Sequence, residues 1–195
     1  MKQSVLILFL FVTVLVSNLF ITEQSTASPV KELDFTLKDY NGKEYKLTDF
    51  NDSKAVVIMF IATECPVSNA YNSRMAALHK KYKDQGIAFI GINSNKEEDV
   101  SAIKSHASKN KFEFPVLKDV NNKVADNYGA SVTPEIYVLD GKSNILYHGR
   151  IDDSRSESDV ESKDLSNALD EILSGKKVSV AETKAFGCTI KRINS

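Results

Sequence analysis

The sequence is poor in the residues that usually mark a metal site or a nucleic-acid-binding surface. Its 195 residues include only two cysteines and three histidines. No histidine stands at metal-ligand spacing from a cysteine, so we predict no metal and no other cofactor. The 25 basic and 26 acidic residues are interspersed and give a net charge of −1, which argues against a nucleic-acid partner. Internal repeats and low-complexity segments are also absent.

The one long apolar run lies at the N-terminus. A basic start at Lys2 precedes the run at residues 5–16, and small residues end at Ala27. This order is typical of a secretory signal peptide, so we predict a signal peptide over residues 1–27 and a periplasmic or extracellular location. An uncleaved anchor stays open as an alternative, because the run, extended to Ile21, nearly reaches membrane-spanning length. This N-terminal segment, if uncleaved, is the only membrane contact that we expect. No cysteine lies near the cleavage site, so a lipoprotein is not indicated.

The remainder of the chain has the length of one domain with a sizeable core. Residues 55–60 and 87–92 are continuous apolar runs, as expected for strands buried on both faces. Apolar residues spaced as one helix face lie between them, and Gly86 stands where this helix should end. This arrangement predicts a strand–helix–strand unit with parallel strands.

Further elements follow the same pattern. A short hairpin around Asn41-Gly42 precedes the first buried strand. Further strands are predicted over 114–117, 136–139 and 145–148, and further helices over 97–109, 120–128 and 159–173. The element order predicts an α/β three-layer sandwich at residues 28–175, with a central mixed sheet and an N-terminal β-hairpin extension. Residues 176–195 form a C-terminal tail without a clear period.

The segment around Cys65 has the pattern of a reactive thiol. A buried strand ends, a short loop follows, and Cys65-Pro66 opens a helix. Proline is well tolerated in the first helical turn, and free backbone N–H groups at that end stabilise a thiolate. We therefore predict that Cys65 is a nucleophile. The alternative is an inert buried cysteine.

A second feature is Thr133-Pro134, which stands just before a predicted strand and is a candidate for a cis peptide bond. Together with the Cys65-Pro66 helix start, this order resembles the thioredoxin-like superfamily over residues 30–173. The N-terminal hairpin further resembles its redoxin and peroxiredoxin-like branch, the AhpC/TSA type. The resemblance implies that Cys65 attacks the substrate, with Pro66 next to it, and that Thr133 and Pro134 bind the extended backbone of the thiol partner.

The chain departs from the two best-known patterns of that superfamily. Thioredoxins have a second cysteine where this chain has Ser68, so no vicinal disulfide can form. Peroxiredoxins have Thr or Ser three residues before the reactive cysteine and Pro seven before it, where this chain has Ala62 and Ile58. They also have an arginine near the position of Thr133-Pro134, where this chain has none.

A subgroup of peroxiredoxin-like proteins is more similar. The matching residues are Cys65-Pro66, Tyr71, Arg74, Thr133-Pro134-Glu135, Gly149-Arg150-Ile151-Asp152-Asp153 and the C-terminal Gly187-Cys188-Thr189-Ile190-Lys191. We expect Arg74 to be a surface or ion-pair residue. We expect Arg150 to pair with Asp152 or Asp153.

Cys188 has three possible roles. It lies on the tail after Gly187 and could approach Cys65 to resolve a mixed disulfide or a sulfenic acid. It could instead form a static structural disulfide, or act separately from Cys65.

Three functions follow from these alternatives. The first is an exported thiol–disulfide oxidoreductase in which Cys65 attacks and Cys188 resolves. It would act on a protein or a small-molecule thiol or disulfide and be recycled by an external reductant. The second is a peroxiredoxin-like thiol peroxidase that takes peroxide. The third is a non-catalytic thioredoxin-fold binding module, for example for copper.

Overall fold

The structure is a computed structural model that describes residues 33–193. The signal peptide predicted for residues 1–27 lies outside the described residues. Within the described part, no helix is long and apolar enough to span a bilayer.

The core of the fold is a seven-stranded mixed sheet with the spatial order β2-β1-β5-β4-β3-β7-β8. β3 and β4, and β4 and β5, are parallel pairs, whereas every other pair in this sheet is antiparallel. The seven strands are β1 (Thr36–Asp39), β2 (Glu44–Lys46), β3 (Ala55–Phe60), β4 (Ile87–Asn93), β5 (Val116–Lys118), β7 (Glu135–Leu139) and β8 (Ile145–Gly149). A separate two-stranded sheet pairs β6 (Val132–Thr133) with β9 (Cys188–Thr189).

Helices cover both faces of the large sheet, which gives the predicted three layers. They are α1 (Pro66–Ala70), α2 (Asn72–Tyr82), α3 (Val100–Lys109), α4 (Lys123–Tyr128) and α5 (Asp164–Leu173). Alternate residues of β3 face opposite sides of the sheet, because side chains alternate along a strand. Val57 and Met59 pack with residues of α2, α3 and α5, whereas Ile58 and Phe60 pack with residues of α4.

The N-terminal hairpin forms as its Asn-Gly pair predicts. Gly42 has a φ of +83°, a conformation that costs glycine little. The turn is closed by hydrogen bonds between the backbones of Asp39 and both Gly42 and Lys43. The hairpin continues the sheet through pairing of β1 with β5.

The arginine interactions differ in part from those expected. Arg74 forms the expected ion pair, but the pair is buried: Nη1 lies 2.6 Å from Asp152 Oδ2, and the two side chains are 8% and 6% exposed. Asp152 is thereby unavailable to Arg150, which pairs instead with Asp164 at 2.6 Å. The prediction that Arg150 pairs with Asp152 or Asp153 is therefore wrong. Asp164 opens α5, which begins five residues later than the helix predicted for residues 159–173.

Candidate active site

Cys65 lies at the carboxyl end of β3, where the chain turns into α1. It is the N-cap of α1, Pro66 occupies the first turn, and Sγ accepts a hydrogen bond from the Ser68 N–H at 3.3 Å. The Ser68 hydroxyl in turn accepts from the Ala62 N–H at 3.2 Å, and Ser68 is fully buried. The residue that replaces the second thioredoxin cysteine therefore holds the loop that carries Cys65.

Cys188 reaches Cys65 from the far end of the chain. The two residues form a disulfide that joins positions 123 residues apart, with Cα atoms 5.9 Å from each other. Cys65 is 6% exposed, whereas Cys188 is half-buried. The structure thus brings together the two cysteines that the sequence singled out, although their chemical roles stay predictions.

The loop at Thr133-Pro134 lies directly against this disulfide. The Thr133–Pro134 peptide bond is cis, and the Thr133 carbonyl oxygen lies 3.3 Å from Cys65 Sγ. Thr133 is also the residue opposite Cys188 in the antiparallel pairing of β6 with β9. The tail of this chain therefore lies where the resemblance places the backbone of a thiol partner.

The tail is anchored on both sides of Cys188. Before it, the backbone of His148 in β8 bonds with Ala181 and Thr183. After it, the Ile190 N–H donates to the Ser131 carbonyl at 2.9 Å, and Ile190 is buried in the core. Gly187 permits the close approach, since a Cβ there would overlap the Thr133 carbonyl oxygen.

Glu98 fixes the loop that precedes Cys65. It is 5% exposed and accepts hydrogen bonds on both carboxylate oxygens. Oε2 accepts from the Thr63 N–H at 2.6 Å and from Asn93 Nδ2 at 2.5 Å, and Oε1 accepts from the Glu64 N–H at 3.3 Å and from Asn95 Nδ2 at 3.2 Å. A buried carboxylate with this many donors fixes the backbone that it contacts.

Lys118 supplies a cation close to this carboxylate. Its Nζ donates to Asn93 Oδ1 at 3.0 Å and to the Asn95 carbonyl at 2.5 Å. Burial lowers the pKa of Lys118, and the negative charge of Glu98 acts in the opposite direction. The polar groups beneath the Cys65 loop therefore form one connected network.

Glu135 fixes the backbone of the loop that precedes Thr133-Pro134, as Glu98 does for the loop before Cys65. Its Oε2 accepts from the N–H groups of Ser131 and Val132, and its Oε1 accepts from Tyr137 and from His148 Nε2 at 2.8 Å. Burial by itself would raise the pKa of Glu135, but these hydrogen bonds outweigh it and lower the pKa. The charged carboxylate therefore stabilises the segment before Thr133-Pro134.

A small cavity of about 250 Å³ opens beside the disulfide. Cys65, Pro66, Thr133 and Cys188 line it, together with Glu98. Among the residues that the structure describes, no arginine lines this cavity, and no group of three metal-ligating side chains is placed to hold a metal ion.

Sequence reasoning missed Glu98 and Asn95. Glu98 stands in an acidic run at the start of the predicted helix 97–109, which normally indicates a solvated surface. In the structure α3 begins only at Val100. A signal was nevertheless present, because the polar stretch Asn93-Ser94-Asn95 directly follows a buried strand. Parallel neighbours bring their carboxyl ends to one sheet edge, so this stretch must lie near the end of β3 and thus near Cys65.

Comparisons with known proteins agree with this architecture. The sequence profile of the AhpC/TSA family matches residues 30–148, more than half of the chain. The crystal structure of a hypothetical protein from Sinorhizobium meliloti 1021 superposes with a TM-score of 0.78 at 34% identity, covering 83% of this chain and 92% of that one. The predicted thioredoxin-like fold with its mixed sheet is confirmed.

Two relatives are named for thiol chemistry. Chloroplastic peroxiredoxin Q of Gentiana triflora is 31% identical over 125 residues, which are 60% of this chain and 56% of that protein. Thiol-disulfide oxidoreductase ResA of Halalkalibacterium halodurans is 25% identical over 130 residues, 67% of this chain and 72% of that protein. This chain spans little more than half the length of the peroxiredoxin.

Proposed function

This chain belongs to the AhpC/TSA family, and on that premise we propose that it is an exported thiol–disulfide oxidoreductase with a two-cysteine cycle. In this proposal Cys65 is the nucleophile and Cys188 is the resolving thiol. The observation that carries the proposal is the disulfide between Cys65, at a helix start, and Cys188, on a strand opposite Thr133. The similarity to the thiol-disulfide oxidoreductase ResA supports the same reaction class.

The cycle has two exchange steps. The Cys65 thiolate attacks one sulfur of a substrate disulfide, forms a mixed disulfide and releases the other substrate sulfur as a thiolate. The Cys188 thiolate then attacks Cys65 Sγ, which releases the remaining substrate thiolate and closes the Cys65–Cys188 bond. The Ser68 N–H, which points at Cys65 Sγ, stabilises the thiolate before attack.

An external dithiol reopens the bond. Its thiolate attacks one protein sulfur, and a second thiol of the same reductant completes the reduction. Cys188 is the more exposed of the two cysteines, so we propose that it receives the attack and that Cys65 leaves as the thiolate. Pro66 and Thr133 line the cavity beside the disulfide, and in this proposal they bind the substrate together with the buried Pro134 next to Thr133.

Location and subgroup belong to the same proposal. Export rests on the apolar N-terminal run, and an oxidising compartment outside the cytoplasm suits a chain whose two cysteines are paired. The Cys-Pro-x-Ser start and the Gly-Cys-x-Ile-Lys tail support membership of the peroxiredoxin-like subgroup described above.

Exchange with a disulfide-bonded peptide tests the function. The reduced full-length chain should release peptide thiols, and Cys65→Ser should abolish the release. Cys188→Ser should accumulate a mixed disulfide on Cys65, seen by mass spectrometry. Val180→Ala, at an exposed tail position that does not line the cavity beside the disulfide, is the matched control and should behave like the wild type. Wild-type release by Cys65→Ser would disprove the proposal.

A thiol peroxidase is the second candidate. Two observations favour it. The first is the similarity to peroxiredoxin Q. The second is that the tail pairs with Thr133 but leaves a cavity of about 250 Å³ beside the disulfide, enough for a small oxidant. Peroxide would transfer one oxygen to Cys65 and leave as water, and Cys188 would condense with the sulfenic acid and release a second water.

Stopped-flow mixing of the reduced chain with hydrogen peroxide tests this candidate. Oxidation of Cys65 far faster than that of a free thiol would support it. A rate equal to that of a free thiol would rule it out and leave disulfide exchange. In the described part of the chain no arginine lines the cavity to orient the peroxide, which favours this second outcome.

A further inference from the structure

Glu98 connects the two segments that carry the cysteines. On one side it accepts from the N–H groups of Thr63 and Glu64, directly before Cys65. On the other side it accepts from Asn95 Nδ2, and Asn95 Oδ1 accepts the N–H of Lys191, three residues after Cys188, at 2.8 Å.

The chemistry of Glu98 determines which way the Asn95 amide points. A carboxylate only accepts hydrogen bonds, so the NH₂ of Asn95 must face Glu98. The amide oxygen then faces the tail, where the Lys191 N–H needs an acceptor. The Lys191 carbonyl completes the contact by accepting from the Lys96 N–H at 3.0 Å. Glu98 and Asn95 are each 5% exposed, so water competes little for these groups.

We propose that Glu98 is a positioning residue that orients Asn95 so that the tail docks with Cys188 opposite Thr133, where its sulfur meets Cys65. The proposal deepens the two-cysteine cycle and rests on it, because closure of the Cys65–Cys188 bond is the resolving step. Glu98 acts through the backbone and the Asn95 amide, not through the sulfurs.

Replacement of Glu98 by glutamine changes the polarity of this network but not its size. The introduced glutamine can keep its oxygen on the stronger contacts, those with Thr63 and Asn93. Its NH₂ then faces two donors, the NH₂ of Asn95 and the Glu64 N–H, both of which donate to Oε1 in the wild type. Asn95 must either lose this contact or rotate, and rotation turns its NH₂ toward the Lys191 N–H. In both cases a buried donor is left without an acceptor, which weakens tail docking.

Equilibration of the full-length chain with glutathione measures the docking. Two glutathione thiols reduce the Cys65–Cys188 bond to two protein thiols and yield one glutathione disulfide, and alkylation followed by mass spectrometry gives the ratio of the two protein forms. Glu98→Gln should shift this equilibrium toward the dithiol by at least about tenfold. Asn95→Ala should shift it similarly. Glu161→Gln, at an exposed carboxylate that does not line the cavity beside the disulfide, should leave it unchanged.

A reciprocal exchange separates orientation from general structural damage. Asn95→Asp alone places two carboxylates together and should also favour the dithiol. Combined with Glu98→Gln it should move the equilibrium back toward the wild-type value, because the introduced glutamine then donates to the introduced aspartate, whose other oxygen accepts from the Lys191 N–H. Only the longer contact with the Glu64 N–H stays lost. In a Cys188→Ser background, Glu98→Gln should leave the alkylation rate of Cys65 within about twofold of its parent, since the shorter of the two contacts with the Cys65 loop, that with Thr63, is kept.

Each outcome bears on one proposal. If Glu98→Gln equilibrates like the wild type, or if the double variant fails to recover while both single variants are impaired, Glu98 is not a positioning residue. The two-cysteine cycle would survive either result. If the wild-type chain forms no Cys65–Cys188 bond in any glutathione mixture, the cycle itself fails, and with it the role of Glu98.

Discussion

At the scale of single residues, two buried carboxylates organise the site around the sulfurs. Glu98 holds the loop before Cys65, and Glu135 holds the loop before Thr133. The sequence identifies Cys65 and Pro66, because a cysteine and a proline at the junction of a buried strand and a helix are distinctive. It does not identify Glu98, because an acidic run before a helix usually lies in solvent and only the tertiary fold buries its middle residue.

The buried Arg74–Asp152 pair gives the first prediction at this scale. Arg74 also donates to the carbonyls of Ser154 and Arg155 and lies 3.7 Å from the centre of the Tyr71 ring. Arg74→Met leaves a buried carboxylate without its partner and should lower the free energy of unfolding by about 3–5 kcal/mol. Urea unfolding of the oxidised full-length chain measures the loss.

An exposed ion pair is the control for Arg74. Lys83 and Glu113 form a pair with side chains 39% and 65% exposed. Lys83→Met should therefore leave the free energy of unfolding close to that of the wild type, because exposed ion pairs contribute little to stability. Equal losses for the two variants would contradict the role given to the buried pair.

Glu135 gives a prediction on pH dependence. Its pKa lies below the ordinary value of 4.5, because its hydrogen bonds outweigh the burial that would raise the pKa. A lowered folded-state pKa stabilises the protein fully above the unfolded-state pKa, and this stability is lost as the pH falls through the folded-state pKa. Glu135→Gln should cost about 1–3 kcal/mol at neutral pH. Its stability should fall less than that of the wild type between about pH 5 and pH 3.

Urea unfolding across this pH range checks the Glu135 prediction. Glu182→Gln is the control, since Glu182 is an exposed carboxylate 4.0 Å from the same histidine, His148. It should follow the wild-type curve. If Glu135→Gln also follows the wild-type curve, the carboxylate does not stabilise the loop in its charged form.

At the scale of elements, strands with a long apolar run or a turn motif can be predicted from the sequence, whereas two-residue strands cannot. The apolar runs at β3 and β4 predict buried strands, and the Asn-Gly turn predicts the hairpin. β6 and β9 have two residues each, too few to produce a period, so the path of the tail cannot be read from the sequence. The pairing of these two strands is set by long-range contacts, including burial of Ile190.

The β6–β9 pairing depends on Gly187. A Cβ at this position would overlap the Thr133 carbonyl, so Gly187→Ala should separate the strands. The yield of the Cys65–Cys188 bond after mild oxidation should then fall by about tenfold, because the backbone hydrogen bonds between the two strands are lost. Mass spectrometry after alkylation measures the yield.

A neighbouring position in the same strand controls for unspecific effects. Thr189 is exposed and pairs with Val132, so Thr189→Ala keeps the strand pairing and should give the wild-type yield. A wild-type yield from Gly187→Ala would show that the tail reaches Cys65 without the close approach seen here.

At the scale of the whole molecule, the disulfide closes a loop that includes most of the described fold. It joins residues 123 apart. Closing a loop of this length reduces the conformational entropy of the unfolded chain, which raises the free energy of unfolding by on the order of 4–5 kcal/mol. Cys188→Ser should lower the free energy of unfolding by about 2–5 kcal/mol relative to the oxidised wild type. It should match the reduced wild type, and a variant as stable as the oxidised wild type would contradict a disulfide that constrains the chain.

The most direct test of the two-cysteine cycle is the reduction potential of the Cys65–Cys188 bond in the full-length chain. Equilibration in thiol–disulfide buffers of graded potential, with alkylation and mass spectrometry as readout, gives its midpoint. The cycle predicts a midpoint above about −270 mV, where a thioredoxin-type dithiol can reopen the bond. A midpoint below about −300 mV, in the range of structural disulfides, would contradict the cycle and leave Cys65 without a free thiol.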